Sequence, residues 1–421
     1  MSQEKTKVYI YTRVSTTMQI CLNVCPAFRL VGGHVYGGSI YTGGIGTLLT
    51  SFLNSRERGK DIQNICLQCG TCNTVCGGKL DIAGMILKLR TKFAQEDGLN
   101  PVHKFCLDTV ADRHLFHSML RIASVAQGMI TKGQPMIRHL PMFLSGLTAG
   151  RSLPSVAPQP FRDILPTIKQ DVPNPKGKIA IFTGCLLDFV YVDIATDVVK
   201  ALNMAGYIVE MPLGQACCGA PATYMGDVEN AKKAAEMNLN AMEAEKYDYI
   251  VSACPTCTHA LRDYVDFFKD DPEMLKKAEA LRSKTFDFCK LVSMLGGLPD
   301  TGDGVPMKVT YHDSCHLNRY LGVTKEQREL LKATKGVELI EMHDCDKCCG
   351  FGGSYSVKFP EMSAPILEEK INNIVASGAD VVAVDCPGCL LQIRGGLDAR
   401  GLNNIQVKHT AQIVVEKREK K

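Results

Sequence analysis

The sequence predicts an α/β fold joined to an α-helical module (class α/β plus α), and three observations predict it. Five cysteines recur in the second half at a nearly fixed offset. Short apolar runs alternate there with helical patterns. The first half instead carries four cysteines at the tight spacing C-x2-C-x2-C-x3-C.

Composition bounds what these signals can mean. A chain of 421 residues is long enough for two to three domains. With 45% apolar and 22% charged residues it is not disordered over most of its length. A net charge of +4 is too small to argue for nucleic acid, and none is expected as a partner. Nineteen cysteines are too sparse for a disulfide-stapled miniprotein. Met1 to Gln19 shows no secretory pattern, and no apolar run reaches the roughly 18 residues of a membrane span. The expectation is a cytoplasmic chain with no transmembrane segment, whose cysteines serve metal or redox chemistry.

In chain order, the first dense group is Cys66, Cys69, Cys72 and Cys76. A short loop with Gly70 lets three thiolates converge on one cubane [4Fe–4S] cluster, while the fourth points to a second cluster. Zinc is the alternative, but zinc usually takes two separated pairs. The partner run is only Cys21-Leu-Asn-Val-Cys25-Pro26, with Met18 and Ser15 where two more cysteines would fall. Cys25, Cys66, Cys69 and Cys72 then complete one cubane. Cys21 and Cys76 are doubtful ligands of a degenerate one, or plain thiols.

Val8 to Gln19, with Tyr11, Arg13, Val14 and Ser15, resembles the opening strand of serine site-specific recombinases. The resemblance implies a foreign beginning over residues 1–19 that replaced two cluster ligands; a chance strand is the alternative. The ferredoxin-like module follows over 20–100. Residues 101–177 form a helical, Pro-rich linker. Between Pro101 and Pro166 it carries seven Lys/Arg against three Asp/Glu, a composition that could dock a partner or touch a membrane surface. Ordinary helices packed between the domains are the preferred reading. Cys106 and Cys289 lie on apolar helical patterns and are expected in the core.

The repeat fills the rest, over 178–300 and 306–421. Copy one reads Cys185, Cys217-Cys218-Gly219 and Cys254-Pro-Thr-Cys257; copy two reads Cys315, Cys348-Cys349-Gly350 and Cys386-Pro-Gly-Cys389, displaced by 130, 131 and 132 residues. Strands are expected at Lys178–Thr183, Tyr207–Val209 and Tyr249–Val251, and again at Val309–Tyr311, Val337–Ile340 and Asp380–Val384. Helices fall between them. Every repeated cysteine then lies after a strand or in a βα loop, where open parallel sheets bind ligands. Cys257 and Cys389 should fall at helix starts, where the dipole favours thiolate.

Each copy resembles the cysteine-rich CCG domain of heterodisulfide reductase subunits and of lactate- and glycolate-oxidation iron–sulfur subunits. Cys348 to Lys358 and His312 to His316 look most like the lactate utilization proteins. That resemblance implies a non-cubane [4Fe–4S] cluster on each full set of five cysteines, hence one or two such clusters besides the cubane. Cys25 to Arg29, Gly32-Gly33-His34, Tyr41 to Gly46 and Arg151 to Pro154 with Phe161-Arg162 resemble the ferredoxin-like tail of the larger lactate utilization iron–sulfur protein. Cys345 reads as a spare thiol or an alternative ligand. His312 and His316 could hydrogen-bond to cluster sulfur, or simply hold the loop.

The implied function is an electron-transfer iron–sulfur subunit of a 2-hydroxy acid oxidation system, for lactate or glycolate. It would work with a flavin dehydrogenase or sibling iron–sulfur subunit, and a quinone or soluble carrier downstream. Catalytic residues are not indicated. A heterodisulfide-reductase-like thiol–disulfide oxidoreductase is the alternative, and an inactive fusion remnant a third.

Overall fold

The computed structural model describes residues 20–31, 43–53, 55–131, 136–137, 152–299 and 304–419. The recombinase-like segment, with Ser15 and Met18, lies outside the described residues, as does the stretch around His34. The chain forms two compact units: Met1–Cys66 with Gly70–Ile86, and Leu67–Cys69 with Leu87–Lys421.

The described part of the first unit is helical. Short helices span Ile20–Asn23, Pro26–Val31, Gly44–Leu53, Arg56–Asn64 and Thr71–Thr74. Pro26 opens its helix where an N–H would have no partner. Ser55 caps the fourth, its hydroxyl accepting from the Arg58 amide at 3.2 Å. The helix carrying Cys21 packs on the one carrying Cys72.

The helix Ile82–Asp97 runs on into the second unit, where helices Pro101–Ala111 and Arg113–Thr131 follow it. Leu107 turns inward onto Ala222 and Ala231. Cys106, one position round the helix, faces solvent. The expectation of a core Cys106 is therefore corrected: a single apolar stripe is filled by Leu107, and its neighbour points away. Val102, Phe105, Leu115, Met119, Ile122 and Val125 are also exposed on this pair. Two-residue strands β1 (Met136–Ile137) and β2 (Leu153–Pro154) pair antiparallel.

The repeat is a structural duplication. The first copy holds β3 (Gly177–Ile181), β4 (Tyr207–Glu210), β5 (Tyr249–Ser252) and β6 (Thr285–Asp287). The second holds β7 (Met307–His312), β8 (Val337–Leu339), β9 (Val381–Val384) and β10 (Gln406–Lys408). The sheet orders are β4-β3-β5-β6 and β8-β7-β9-β10, parallel throughout. Runs such as Ile179-Ala180-Ile181 and Val381 to Val384 are buried on both faces, which is why they read as continuous apolar stretches. Strands β6 and β10, Thr-Phe-Asp and Gln-Val-Lys, escape sequence reading because each is short and holds a single apolar residue between polar ones. One apolar core runs through both copies, joining Ile181, Val198 and Phe288 to Val384, Ala411 and Val414.

Candidate functional site

In each sheet strands are added first to one side of the leading strand and then to the other, so the crevice at the carboxyl ends of the first and third strands is the switch point. β3 and β7 deliver Cys185 and Cys315 there; β5 and β9 deliver Cys254 with Cys257 and Cys386 with Cys389. Cys254 and Cys386 are the N-caps of helices Pro255–Asp263 and Pro387–Ala399, and Cys257 and Cys389 lie in the first turns. The prolines start these helices without wasting an amide. Gly219 and Gly350, at φ 79° and 84°, turn each Cys-Cys pair onto its following helix. A Cβ on Gly350 would lie 2.8 Å from the Ser363 carbonyl.

The thiols of each copy form a hydrogen-bonded chain. In copy one it runs Cys185, Cys217, Cys218, Cys257, Cys254. In copy two it runs Cys315, Cys348, Cys349, Cys389, Cys386. Cys254 and Cys386 also hydrogen-bond each other, so ten sulfurs make one continuous string across both copies. The middle cysteine plays the same part twice. Hydrogen bonds from Cys217 and Cys257 pull Cys218 down to about 6, and those from Cys348 and Cys389 pull Cys349 down to about 5. Hydrogen bonds from Cys254 and Cys389 take Cys386 well below the ordinary thiol range. No disulfide joins any of the nineteen cysteines, all of which are described.

Basic groups gather at the second copy. His312 is fully buried, neither ring nitrogen has a hydrogen-bond partner, and its ligand atom lies within 4.8 Å of the Cys349 and Cys389 sulfurs. Burial, then Lys370, holds its pKa down to about 3. Arg319 donates to the Cys69 carbonyl at 3.2 Å and the Asp346 carbonyl at 2.6 Å, and Tyr320 donates to the Gln68 carbonyl at 2.9 Å. Cys69 is thereby held beside Cys315 and Cys348. His316 forms a 2.7 Å hydrogen bond with Tyr224 and stacks on Tyr320. Cys345 stays apart from the string: Arg328 approaches its sulfur at 3.6 Å, and burial lifts it to about 11. Cys289 is buried, as expected.

In the first unit, Cys21 and Cys25 sit against the Gly43-Gly44 turn. A Cβ on Gly43 would lie 2.6 Å from the Cys25 sulfur, and one on Gly44 3.1 Å from that of Cys21. Gly70, at φ 71°, caps the helix that carries Cys72. Cys66 and Cys76 are half-buried on the same unit.

The donor sets are all sulfur, the ligand type that selects iron–sulfur clusters, zinc or copper(I). Five convergent thiols exceed the four of a structural zinc site, so each copy fits an iron–sulfur group better. Cys25, packed against a turn that has no Cβ, fits one too.

Sequence reading missed Lys370, Arg319 and Asn238. All three are polar residues in helical segments, and nothing in sequence distinguishes them from surface positions.

Residues 179–262 and 309–394 match the CCG family, a cysteine-rich domain. Lactate utilization protein A of Shouchella clausii is 39% identical over 240 residues, 57% of this chain and 99% of that protein. A probable glycolate oxidase iron–sulfur subunit of Bacillus subtilis is 31% identical over 375 residues, 86% of this chain and 84% of that protein. Among solved structures, a hypothetical protein from Helicobacter pylori shares the fold with a TM-score of 0.52 at 10% identity, covering 89% of this chain and 66% of that one. The chain belongs to the CCG cysteine-rich family that includes lactate utilization protein A and the glycolate oxidase iron–sulfur subunit.

Proposed function

We propose that the chain is an iron–sulfur electron-transfer subunit of a 2-hydroxy acid oxidation system, with lactate favoured over glycolate. The observation that carries this reading is the unbroken string of ten buried or half-buried thiols, five from each copy, meeting at Cys254 and Cys386. The lactate preference rests on the relative covered along 99% of its length.

Cys185, Cys217, Cys218, Cys254 and Cys257 would hold one cluster, and Cys315, Cys348, Cys349, Cys386 and Cys389 a second. Cys25, Cys66, Cys69 and Cys72 would hold a cubane, with Cys21 and Cys76 as spare thiols. Such clusters supply one-electron carriers when bound. The residues do the rest by position. Parallel strands fix the sulfurs, burial keeps water from them, and the Cys254–Cys386 contact sets the two sites side by side. Arg319 and Tyr320 hold Cys69 against the second set. Electron relay needs no general acid or base, in keeping with a site built from thiols. Cys254 and Cys386, 7% and 6% exposed, also suit relay better than direct attack on a bulky disulfide. A flavin dehydrogenase or sibling iron–sulfur subunit is the partner this requires, and the exposed apolar side chains of Pro101–Ala111 and Arg113–Thr131 support docking one.

The test is iron and acid-labile sulfide per chain after anaerobic reconstitution. Three clusters predict about 12 of each. About 16 iron atoms would mean that Cys21 and Cys76 also hold a cluster. Zinc in place of iron, or a folded chain that takes up no metal, overturns the reading. Turnover of a disulfide with reduced viologen would replace it with thiol–disulfide chemistry.

A further inference from the structure

We propose that the two duplicated thiol sets are unequal electron acceptors: His312, Lys370 and Arg319 make the second-copy set the easier one to reduce. The proposal rests on the electron-transfer reading above and comes from matching the copies position by position.

Three equivalences follow from the structure. Ile181 pairs with Val251 and Tyr311 with Ala383, so Phe182 and His312 occupy the same place at the ends of their strands. Gly219 abuts Ala231 and Ala234, while Gly350 abuts Ser363 and Ile366. The helices behind the Cys-Cys pairs are therefore in the same register, and Asn238 corresponds to Lys370. Counting onward from Cys185 and Cys315, Phe189 corresponds to Arg319.

All three first-copy residues are uncharged. Phe182 is buried against Cys218, Cys254 and Cys257. Asn238 ties the loop down neutrally, accepting from the Ala216 amide and donating to the Cys217 carbonyl. Phe189 is a buried ring. In the second copy a buried imidazole faces Cys349 and Cys389 with both nitrogens unpartnered. Lys370, 1% exposed, donates to the carbonyls of Asp344 and Cys345 at 2.6 and 3.2 Å. Arg319 lies beside Cys315 and Cys348.

Other charges do not cancel the difference. Arg162 is matched by the buried Asp188, and Asp313, beside His312, is matched by Arg328. Asp385 accepts from the Tyr311 hydroxyl at 2.6 Å and acts on Cys289, which is outside the string. The acid paired with Arg319, Asp346, is 55% exposed and screened by water.

Reduction adds negative charge. A polar imidazole set beside the sulfurs with a nitrogen left over for them, and cations held in a low-dielectric interior, stabilise that charge, and each raises a cluster's potential. A phenyl ring or a neutral amide whose donors and acceptor are already used does neither. At equilibrium a single electron shared by the two sites then resides on the second.

The experiment is a potentiometric titration of the anaerobically reconstituted full chain, followed by EPR. The wild type should show two separable CCG waves. His312→Phe should lower the upper wave by at least tenfold in the reduction equilibrium, about 59 mV for a one-electron couple, and leave the lower wave in place. It should also abolish a nitrogen coupling in the pulsed EPR spectrum of the upper species. Phenylalanine is what the first copy already holds there, so the site has room for it. Lys370→Met is the second variant, expected to move the same wave in the same direction. Coincident waves in an iron-loaded wild type, or variants that move the lower wave or neither, overturn the proposal and leave the electron-transfer reading standing. A folded chain that takes up no iron overturns both.

Discussion

The two α/β copies use the same strand order, place the same five cysteines at the same switch point, and give the middle thiol the same two donors. They differ in what closes the thiol set from behind. Copy one uses Phe182 and Asn238; copy two uses His312 and Lys370. Ligand number and spacing are set by the βα loops, which the duplication copies whole. The surrounding charge is set by single residues on adjoining strands and helices, which can change without moving a ligand. One scaffold can thus present two sites of equal geometry and unequal electrostatics.

The largest expected effect tests the equality. Cys218→Ser and Cys349→Ser each remove the sulfur that two neighbouring thiols hydrogen-bond. A serine hydroxyl is not a thiolate, and soft ligands are what the group needs. Each variant should lose about four iron atoms per chain, with the other copy still loaded. Loss of iron from both copies in either variant would show that the string of ten sulfurs behaves as one site and break the comparison.

A smaller effect tests the difference in surroundings. Arg162 reaches Asp188, which is 0% exposed, with its Nε at 2.7 Å and its backbone amide at 3.1 Å. Arg162→Met strands that carboxylate, a loss of about 3–5 kcal/mol. Arg319→Met in copy two leaves Asp346 free to turn to water and costs mainly its hydrogen bonds to the carbonyls, about 1–2 kcal/mol. Urea denaturation measures both. Equal losses would mean that the Arg162 pair is not the anchor its burial implies.

Much of this was legible in the sequence, for identifiable reasons. The repeated cysteines, the three leading strands of each copy and the helices between them are local patterns, and they appear where the apolar runs and glycines put them. Cys106 misled because an apolar helix face and the position beside it look alike without the partner surface of Ala222 and Ala231. The Cys254–Cys386 contact was not legible, since it joins residues from different copies and depends on how their shared core packs. Lys370 was not legible either. A lysine in a polar helix reads as solvated, and only its place behind Asp344 and Cys345 buries it.

The smallest effect probes the seam where the copies pack, and its sign depends on pH. Asp197 sits on the helix Val192–Met204, which packs on the C-terminal helix Thr410–Glu416. Lys200 turns from Asp197, at 3.6 Å, to Glu419, at 2.6 Å. Burial first, against the pull of Lys200, then Glu419 and Asp193, raise the Asp197 carboxyl to about 6. An unfolded aspartate titrates near 3.9. Between about 4 and 6 the folded chain therefore holds a proton that the unfolded chain has released, so stability falls as pH rises through that window and stays down above it. Asp197→Asn has no charge to bury. It should match the wild type near pH 3.5 and exceed it by about 1 kcal/mol at pH 7, after allowing for partial solvent screening. Melting temperature against pH reads this directly. A gain at pH 3.5 would mean that the asparagine acts through something other than charge, and no gain at pH 7 would mean that the Lys200 ion pair with Asp197 offsets the cost of its burial.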